Sequence, residues 1–528
     1  MLKLEQVKLR PEQPESELFG KAVQLLRIPP EELLSLSVLR RAVDARAPLQ
    51  LVYTLAVSVK NEKAALRRCR SKNVSLYAPE SYTPPAAVTP PQTPPVVIGA
   101  GPAGLFAAFL LANAGLRPIL LERGQPVEQR QRDVERFWQG GELLPESNVQ
   151  FGEGGAGAFS DGKLNTGTKD LRHRWILRQL VACGAPESIL TDAKPHVGTD
   201  MLHTTLKNLR KKLLAMGADI RFGHRLEAIH AENGALQAIT VAAPEGSYTL
   251  PVRQLILALG HSARDTVERL YAQGLHMEAK PFAVGVRIEH LQSRMDAAQY
   301  KEYAGHPALP ASSYKLSCHL PNGRSVFSFC VCPGGQVVAA ASEKERTVTN
   351  GMSEYARSGR NINGGLLVNV TPADFGSSHA LAGIAFQRRL EEAAFRLGGG
   401  YTAPCQRVED FLLHRPSTGC GSVQPSYRPE VRYADLHECL PAFITDALEQ
   451  ALPLLEDKLS GFADGDALLT AVESRSSAPV RIPRDENYES NIKGVFPCGE
   501  GAGYAGGILS AAADGMRCAE KIWEAYTK

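Results

Sequence analysis

Pro95-Val96-Val97-Ile98-Gly99-Ala100-Gly101-Pro102-Ala103-Gly104 decides the fold. Val96, Val97 and Ile98 form a short β-branched run, the mark of a strand buried on both faces. The glycines that follow occupy the three fixed positions of Gly-x-Gly-x-x-Gly, and the apolar run Leu105 to Asn113 continues them as a helix. Gly99 permits the tight turn, Gly101 lets backbone approach a pyrophosphate, and Gly104 lets helix pack on strand. The helix start offers free N–H groups and a partial positive charge to phosphates. Pro118 to Glu122 reads as the next strand. Its closing carboxylate, Glu122, stands about 20 residues beyond the first glycine, the distance at which an acidic group accepts from ribose hydroxyls, with Arg123 beside it. This βαβ start predicts a bound dinucleotide.

Upstream, Ser81 to Pro95 (SYTPPAAVTPPQTPP) lacks backbone donors and favours extended, semi-rigid chain, so residues 81–95 read as a linker. Residues 1–80 then form a small α+β module. Helical patterns are expected near Ser16 to Leu26 and from Pro30 to Asp44, an apolar strand from Leu49 to Val59, and a basic helical run from Lys60 to Lys72. Arg67, Arg68 and Arg70 lie in that run without interleaved aromatics, which suits a solvated helix face better than a nucleic-acid patch. Downstream, Thr199 to Met216 reads as a long helix, and Asp219 to Leu259 as strands with a hairpin turn at Glu232-Asn233-Gly234. Strand signals dominate Ala283 to Val370, and helices are expected at Leu381 to Leu397 and Asp446 to Lys458.

Near the C-terminus, Gly494 to Gly503 (GVFPCGEGAG) resembles the second FAD signature of glutathione-reductase-type flavoproteins, a strand ending in Gly-Asp or Gly-Glu. The resemblance gives Glu500, after Gly499, the ribityl chain. The helix that follows opens with Gly506, Gly507 and Ile508, small enough to press its positive end against a flat ring, where negative charge appears on two-electron reduction. FAD is thus the expected cofactor. Leu255 to Gly260 (LILALG) looks like the apolar strand and glycine that end the inserted sheet of such enzymes. The loop Gly152 to Lys163 is too glycine-rich for core. Gly155 and Gly157 can bring backbone amides to the flavin or its pyrophosphate, which would set Ser160, Asp161 and Lys163 near the ring.

Together, GEGGAGAFSDGKL, KPHVGTD, LALGHSARDT, KPFAVGVRIEH, FCVCPGG, NGMSEYARSGRN, ESRSSAPVRIPR and PCGEGAGYAGGI resemble a widespread, largely uncharacterised family of bacterial FAD-dependent dehydrogenases. The similarity runs through nearly the whole chain. It implies an α/β Rossmann-like FAD-binding fold (three-layer ββα) with an inserted mixed α+β second domain and the N-terminal module. The FAD-binding domain is expected at 96–275 and 471–528, with a substrate or cap domain at 276–470.

Four residues are candidates for the chemistry. His261 supplies an imidazole, a group suited to moving a substrate proton. Arg264 can anchor a carboxylate, or its Arg-Asp pair can brace the domain junction. Lys163 follows the glycine loop, and Arg475, with Glu473 and Arg481 nearby, can grip an anionic substrate bidentately or bridge domains. Cys330-x-Cys332 has neither the spacing nor the location of a flavin disulfide-reductase pair and lacks a second pair for zinc, so the thiols are expected to pack beside a turn and no metal ligands are assigned.

The composition bounds the function. With 528 residues, 44% hydrophobic and 22% charged, several ordinary globular units are expected. Lys+Arg 59 against Asp+Glu 56 leaves +3, so no global field invites nucleic acid or an anionic membrane. Ten cysteines are too few for a disulfide scaffold, and neither a signal peptide nor a spanning segment is evident, so a cytoplasmic protein is expected. The expected activity is hydride transfer between flavin N5 and a small organic substrate. A flavin monooxygenase using NAD(P)H and oxygen, an RNA-associated flavoprotein and a redox sensor are the rivals. NAD(P)H is the candidate electron donor, although no second nucleotide fingerprint follows a strand, and a redox protein is a candidate partner.

Overall fold

The computed structural model describes residues 1–527. Its N-terminal module is a four-stranded sheet of β1 (Leu2–Leu9), β2 (Leu33–Asp44), β3 (Gln50–Val59) and β4 (Val74–Leu76), in the order β2-β3-β1-β4. Helices α1 (Glu17–Leu26) and α2 (Glu62–Cys69) pack on it, burying Leu18, Leu26 and Ala65 against Leu4, Tyr53 and Leu55. Asn61 caps α2 by accepting from the Ala64 N–H at 3.0 Å. The helix expected at Pro30 to Asp44 is instead one 3-10 turn followed by β2. Ser35 and Ser37 alternate with Leu36 and Val38, a period of two, and pairing along β3 fixes the strand.

The proline-rich linker runs as a strap packed on the next domain. The Tyr82 hydroxyl donates to Glu520 at 2.5 Å, the Val88 N–H to the Ala114 carbonyl at 2.9 Å, and the Trp523 indole to the Ala86 carbonyl at 2.8 Å.

Beyond it, β5 (Val96–Ile98), α3 (Pro102–Asn113), β6 (Ile119–Glu122), α4 (Val127–Trp138), α5 (Leu171–Ala182), α6 (Thr199–Ala215) and β7 (Asp219–Phe222) begin the nucleotide domain. The meander β8 (Arg225–Glu232), β9 (Ala235–Ala242), β10 (Tyr248–Pro251) leads into β11 (Leu255–Leu257) and α7 (Arg264–Ala272). Asn233 and Gly234 both have positive φ, as the hairpin turn requires. Five parallel strands lie in the order β22-β11-β5-β6-β7, where β22 is Val495–Pro497 from the far end of the chain. Strand alternation sorts their side chains into two layers. Val97, Leu120, Ile256 and Phe496 face α3 and its neighbours; Val96, Ile98, Leu121 and Leu255 face the meander. This is the expected ββα sandwich. The C-terminal helix α12 (Ile508–Glu524) lies along α3 so closely that a Cβ on Gly515 would stand 2.1 Å from the Ala103 carbonyl oxygen.

The second domain follows β12 (Glu278–Ala279), which pairs with β21 (Val480–Arg481) where the chain crosses in and out. Its large sheet takes β13 (Phe282–Leu291), β14 (Ser317–His319), β15 (Ser325–Ala339), β16 (Thr349–Met352), β17 (Asn361–Val370), β18 (Ala403–Arg407), β19 (Val431–Tyr433) and β20 (Leu468–Glu473). The order is β14-β15-β17-β13-β20-β18-β19, with β16 beside β15. Helix α8 (Gln292–Tyr300) follows β13, α9 (Ala382–Gly398) and α10 (Val408–Leu412) flank β18, and α11 (Ala442–Glu456) precedes β20. Val284, Val286 and Ile288 of β13 face the core containing α9 and α11, which turns Arg287 and Glu289 to the opposite face. The expected division at 470/471 falls inside β20, which is held in this sheet by β13 and β18; the return crossing follows Glu473. Among the described residues no helix is long and apolar enough to cross a membrane.

Candidate active site

A cavity of about 380 Å³ opens where the carboxyl ends of β5, β6, β11 and β22 meet the charged face of the second sheet. Its first wall is backbone. Gly99 has φ +99°, and a Cβ there would stand 2.3 Å from the Ala258 carbonyl oxygen. A Cβ on Gly104 would lie 1.8 Å from the Gly99 carbonyl oxygen, so this glycine packs helix on strand and does not line the cavity. Gly101 and Gly155 face each other: a Gly101 Cβ would meet only the Gly155 Cα, at 3.9 Å. That slot is one a side chain would fill and a pyrophosphate can enter, with the start of α3 at its end. Gly157, Gly260, Gly499, Gly506, Gly507 and Ile508 continue the wall, so the two expected FAD segments border one cavity.

Glu122 is buried and accepts from the N–H groups of Ala100 (2.7 Å), Gly124 (2.9 Å) and Gly152 (3.0 Å). Besides facing the cavity, it ties three turns of the cradle together. Arg123 also lines the cavity but is committed to Glu146 (2.7 Å) and Asp265 (2.8 Å), with its guanidinium 4.0 Å over the Phe151 ring. Ser160 caps its own loop, donating to the Gly157 carbonyl at 2.8 Å and accepting from the Gly162 N–H at 3.0 Å.

Three sequence assignments change. Asp161, expected against the cofactor, spends its carboxylate on Ser353, Arg357 (2.6 Å) and Lys163 (2.8 Å). Burial alone would raise its pKa, but Lys163 and Arg357 outweigh that and lower it. Arg264, expected to anchor substrate, is buried outside the cavity wall between Glu343 (2.6 Å), Glu391 (2.7 Å) and Gln387 (2.9 Å). Arg475 reaches the wall, but its guanidinium holds Glu391 (3.0 Å), Ser342 (2.6 Å) and Ser262 (3.1 Å). Buried guanidinium groups require such partners, and Glu391 of α9 supplies them. Burial pushes the Glu391 carboxyl up, and the two arginines bring it far below the usual range. Both arginines brace the junction, but the expected Arg264–Asp265 pair does not form: Arg264 is held by Glu343 and Glu391, and Asp265 pairs with Arg123 at 2.8 Å.

His261 does reach the site. Its Nδ1 lies 3.4 Å from a Glu500 carboxylate oxygen, and its Nε2 is buried in the cavity wall without a hydrogen-bond partner. Ser262, held by Arg475 and by Gln150 (3.0 Å), fixes the adjoining backbone. Lys163 lines the cavity, its ammonium 2.8 Å from Asp161 and 3.9 Å from the Cys332 sulfur. Burial opposes its charge, but Cys332, Cys330 and Asp161 raise its pKa.

Phe329, Cys330, Asn350 and Glu473 form the facing wall. Cys330 was expected to be packing; the alternation that sets Cys330 and Cys332 on one strand face was the available signal. Far from the cavity, His414, His437 and Glu449 converge within 4.8 Å of one another, three residues that their spacing does not connect. Asp435 and Glu449 hold the two nitrogens of the His437 ring at 2.6 and 2.7 Å; burial opposes their effect, but its pKa is raised.

A family model described as FAD-dependent protein, C-terminal domain-like, matches residues 281–476; an FAD binding domain matches 92–134 and a domain of unknown function 1–60. An uncharacterised protein of Clostridium beijerinckii is 45% identical over 515 residues, 96% of each chain. Among solved structures, the flavin-dependent brominase Bmp2 aligns at TM-score 0.39 and 12% identity, covering 82% of this chain and 79% of that one. The glycerol-3-phosphate dehydrogenase of Bacillus halodurans complexed with FAD aligns at TM-score 0.35 and 13% identity, over 83% and 64%.

Proposed function

The chain belongs to the FAD-dependent protein family of its Clostridium relative, whose cofactor is FAD, and from that premise we propose that it is an oxidoreductase, a dehydrogenase acting on a small organic substrate, with hydride passing between the substrate and flavin N5. The observation that carries this reading is His261: an imidazole with one nitrogen beside Glu500 and the other buried and free in the cavity wall. When bound, FAD supplies a two-electron acceptor or donor that no side chain can replace.

This chain's residues would do the rest. Gly101, Gly155 and the start of α3 take the pyrophosphate, Glu122 keeps the cradle shaped and meets the ribose, and the opening of α12 at Gly507 sets its positive end at the ring. His261 Nε2 takes or returns the substrate proton, while Glu500 orients the ring through Nδ1. Arg475 is a positioning residue, acting on His261 through Ser262. Lys163 holds fixed positive charge at the facing wall. NADH or NADPH is proposed as electron donor, and ten free cysteines support a reducing, cytoplasmic setting.

Anaerobic mixing of the yellow protein with NADH, NADPH and a metabolite panel, followed by flavin absorbance, tests the reading. Bleaching without oxygen by NADH or NADPH that an organic substrate reverses, or bleaching by the organic substrate itself, is the expected result. Substrate turnover that requires both NAD(P)H and oxygen would mark a monooxygenase instead.

A further inference from the structure

Two pairs of neighbouring thiols lie in the molecule, Cys330 with Cys332 and Cys498 with Cys518, and the Cys332 thiol donates to the Cys330 carbonyl oxygen at 3.3 Å. Their surroundings differ. Strand β15 loses register with β17 between Phe329 and Cys332, and there Cys330 takes φ +42°, a left-handed conformation that non-glycine residues seldom hold. Val331 points into the opposite core. Cys330 lines the cavity, and Cys332 is buried behind it.

The charged groups facing the pair come from three elements. The Lys163 ammonium lies 3.9 Å from the Cys332 sulfur, and Arg287 of β13 lies 3.7 Å from the same sulfur and 3.1 Å from the Cys330 carbonyl oxygen. Asp161 and Glu473 balance these cations at 2.8 and 3.0 Å. The neighbouring Cys332 thiol draws the Cys330 thiol below its ordinary pKa; burial opposes this, and Lys163 and Arg287 assist. Cys332 is pushed up by its contact with Cys330 and by burial. A dithiol closes from one thiolate and one thiol, and cations at the sulfur favour that ionised form. Cys498 also lines the cavity, but a single cation approaches that pair, Arg484 at 4.0 Å from the Cys518 sulfur, and Asp514 holds it at 2.6 Å.

We propose that Cys330 and Cys332 are a redox-active dithiol that exchanges two electrons with the flavin of this cavity. The proposal rests on the FAD assignment above. In the oxidising direction the Cys332 S–H bond breaks and one S–S bond forms to Cys330. The released electron pair and that proton reduce FAD to FADH⁻, so charge and atoms balance. The reverse step opens the disulfide into a thiolate and a thiol. A ring closed over a single intervening residue is small, which makes the disulfide readily reduced.

Holoprotein, oxidised and then titrated anaerobically with dithionite, provides the test. Flavin and disulfide each take two electrons, so the wild type should absorb four per FAD and Cys330→Ser or Cys332→Ser only two. Oxidised, denatured wild type should show two fewer titratable thiols than its ten cysteines. A Cys330–Cys332 cross-linked peptide should appear by mass spectrometry. The wild-type counts need no variant, so a serine variant that fails to fold does not rescue the idea. Two electrons per FAD with every thiol free overturns the dithiol and leaves the flavin assignment intact. A protein that takes up no FAD overturns both.

Discussion

At Gly99, Gly101, Gly155, Gly506 and Gly507 the cavity wall is bare backbone; across from it, the wall on β15 and β20 is backed by two ion pairs, Lys163–Asp161 and Arg287–Glu473. The first wall can meet a polyanion with oriented amides and a helix end, adding no side-chain charge to desolvate. The second holds ions out of water and is stable only because each one is paired. One wall therefore suits binding, the other a fixed field around the reacting ring. The junction behind them, Arg264–Glu391–Arg475, extends the paired-charge principle between domains.

Gly101→Leu attacks the backbone wall and should have the largest effect. Its side chain enters the phosphate slot, so FAD affinity should fall at least about 1000-fold, or about 4 kcal/mol, in a folded protein, measured by flavin retention on gel filtration. Retention of full yellow colour would break the contrast. Glu391→Gln attacks the junction by leaving two buried guanidinium groups short of charge. Stability should drop by about 3–5 kcal/mol, read from urea unfolding, while slot geometry is unchanged.

The pH dependence sharpens that second case. The Glu391 carboxyl sits below its unfolded value of about 4.3, so its contribution is complete above that pH and is lost as pH falls toward the folded value. Wild type and Glu391→Gln should accordingly converge in stability on acidification. His261→Asn should lower turnover by about 100-fold with flavin content unchanged, the low end for removal of a general acid or base. Glu146→Gln, at a half-exposed ion pair with Arg123, should cost only about 0.5 kcal/mol of stability.

The backbone wall was legible in the sequence because glycine spacing, an adjacent strand and a following helix are local features. The order of β5, α3 and β6, the hairpin at Asn233-Gly234 and both FAD segments came from such features. Partner choice was not local. Nothing near Arg264 in the chain announces Glu391, and Asp161 looked available until Arg357 arrived from the second domain. The strand β2 was misread because its leucines suggested a helix until Ser35 and Ser37 were paired along β3. The spacing of Cys330 and Cys332 reads as packing, and the cations that stand at the Cys332 sulfur, Lys163 and Arg287, come from distant parts of the chain.

The close approach of α12 to α3 through Gly515 has a consequence for biogenesis. Strand β22 and α12 are translated after the entire inserted domain, so a nascent chain carries the glycine turn at Gly99 for hundreds of residues before its other half arrives. Until then the edge of β11 awaiting β22 is open and the apolar side of α3 is bare, which makes that interval the one in which the polypeptide is most exposed to aggregation and to chaperone capture.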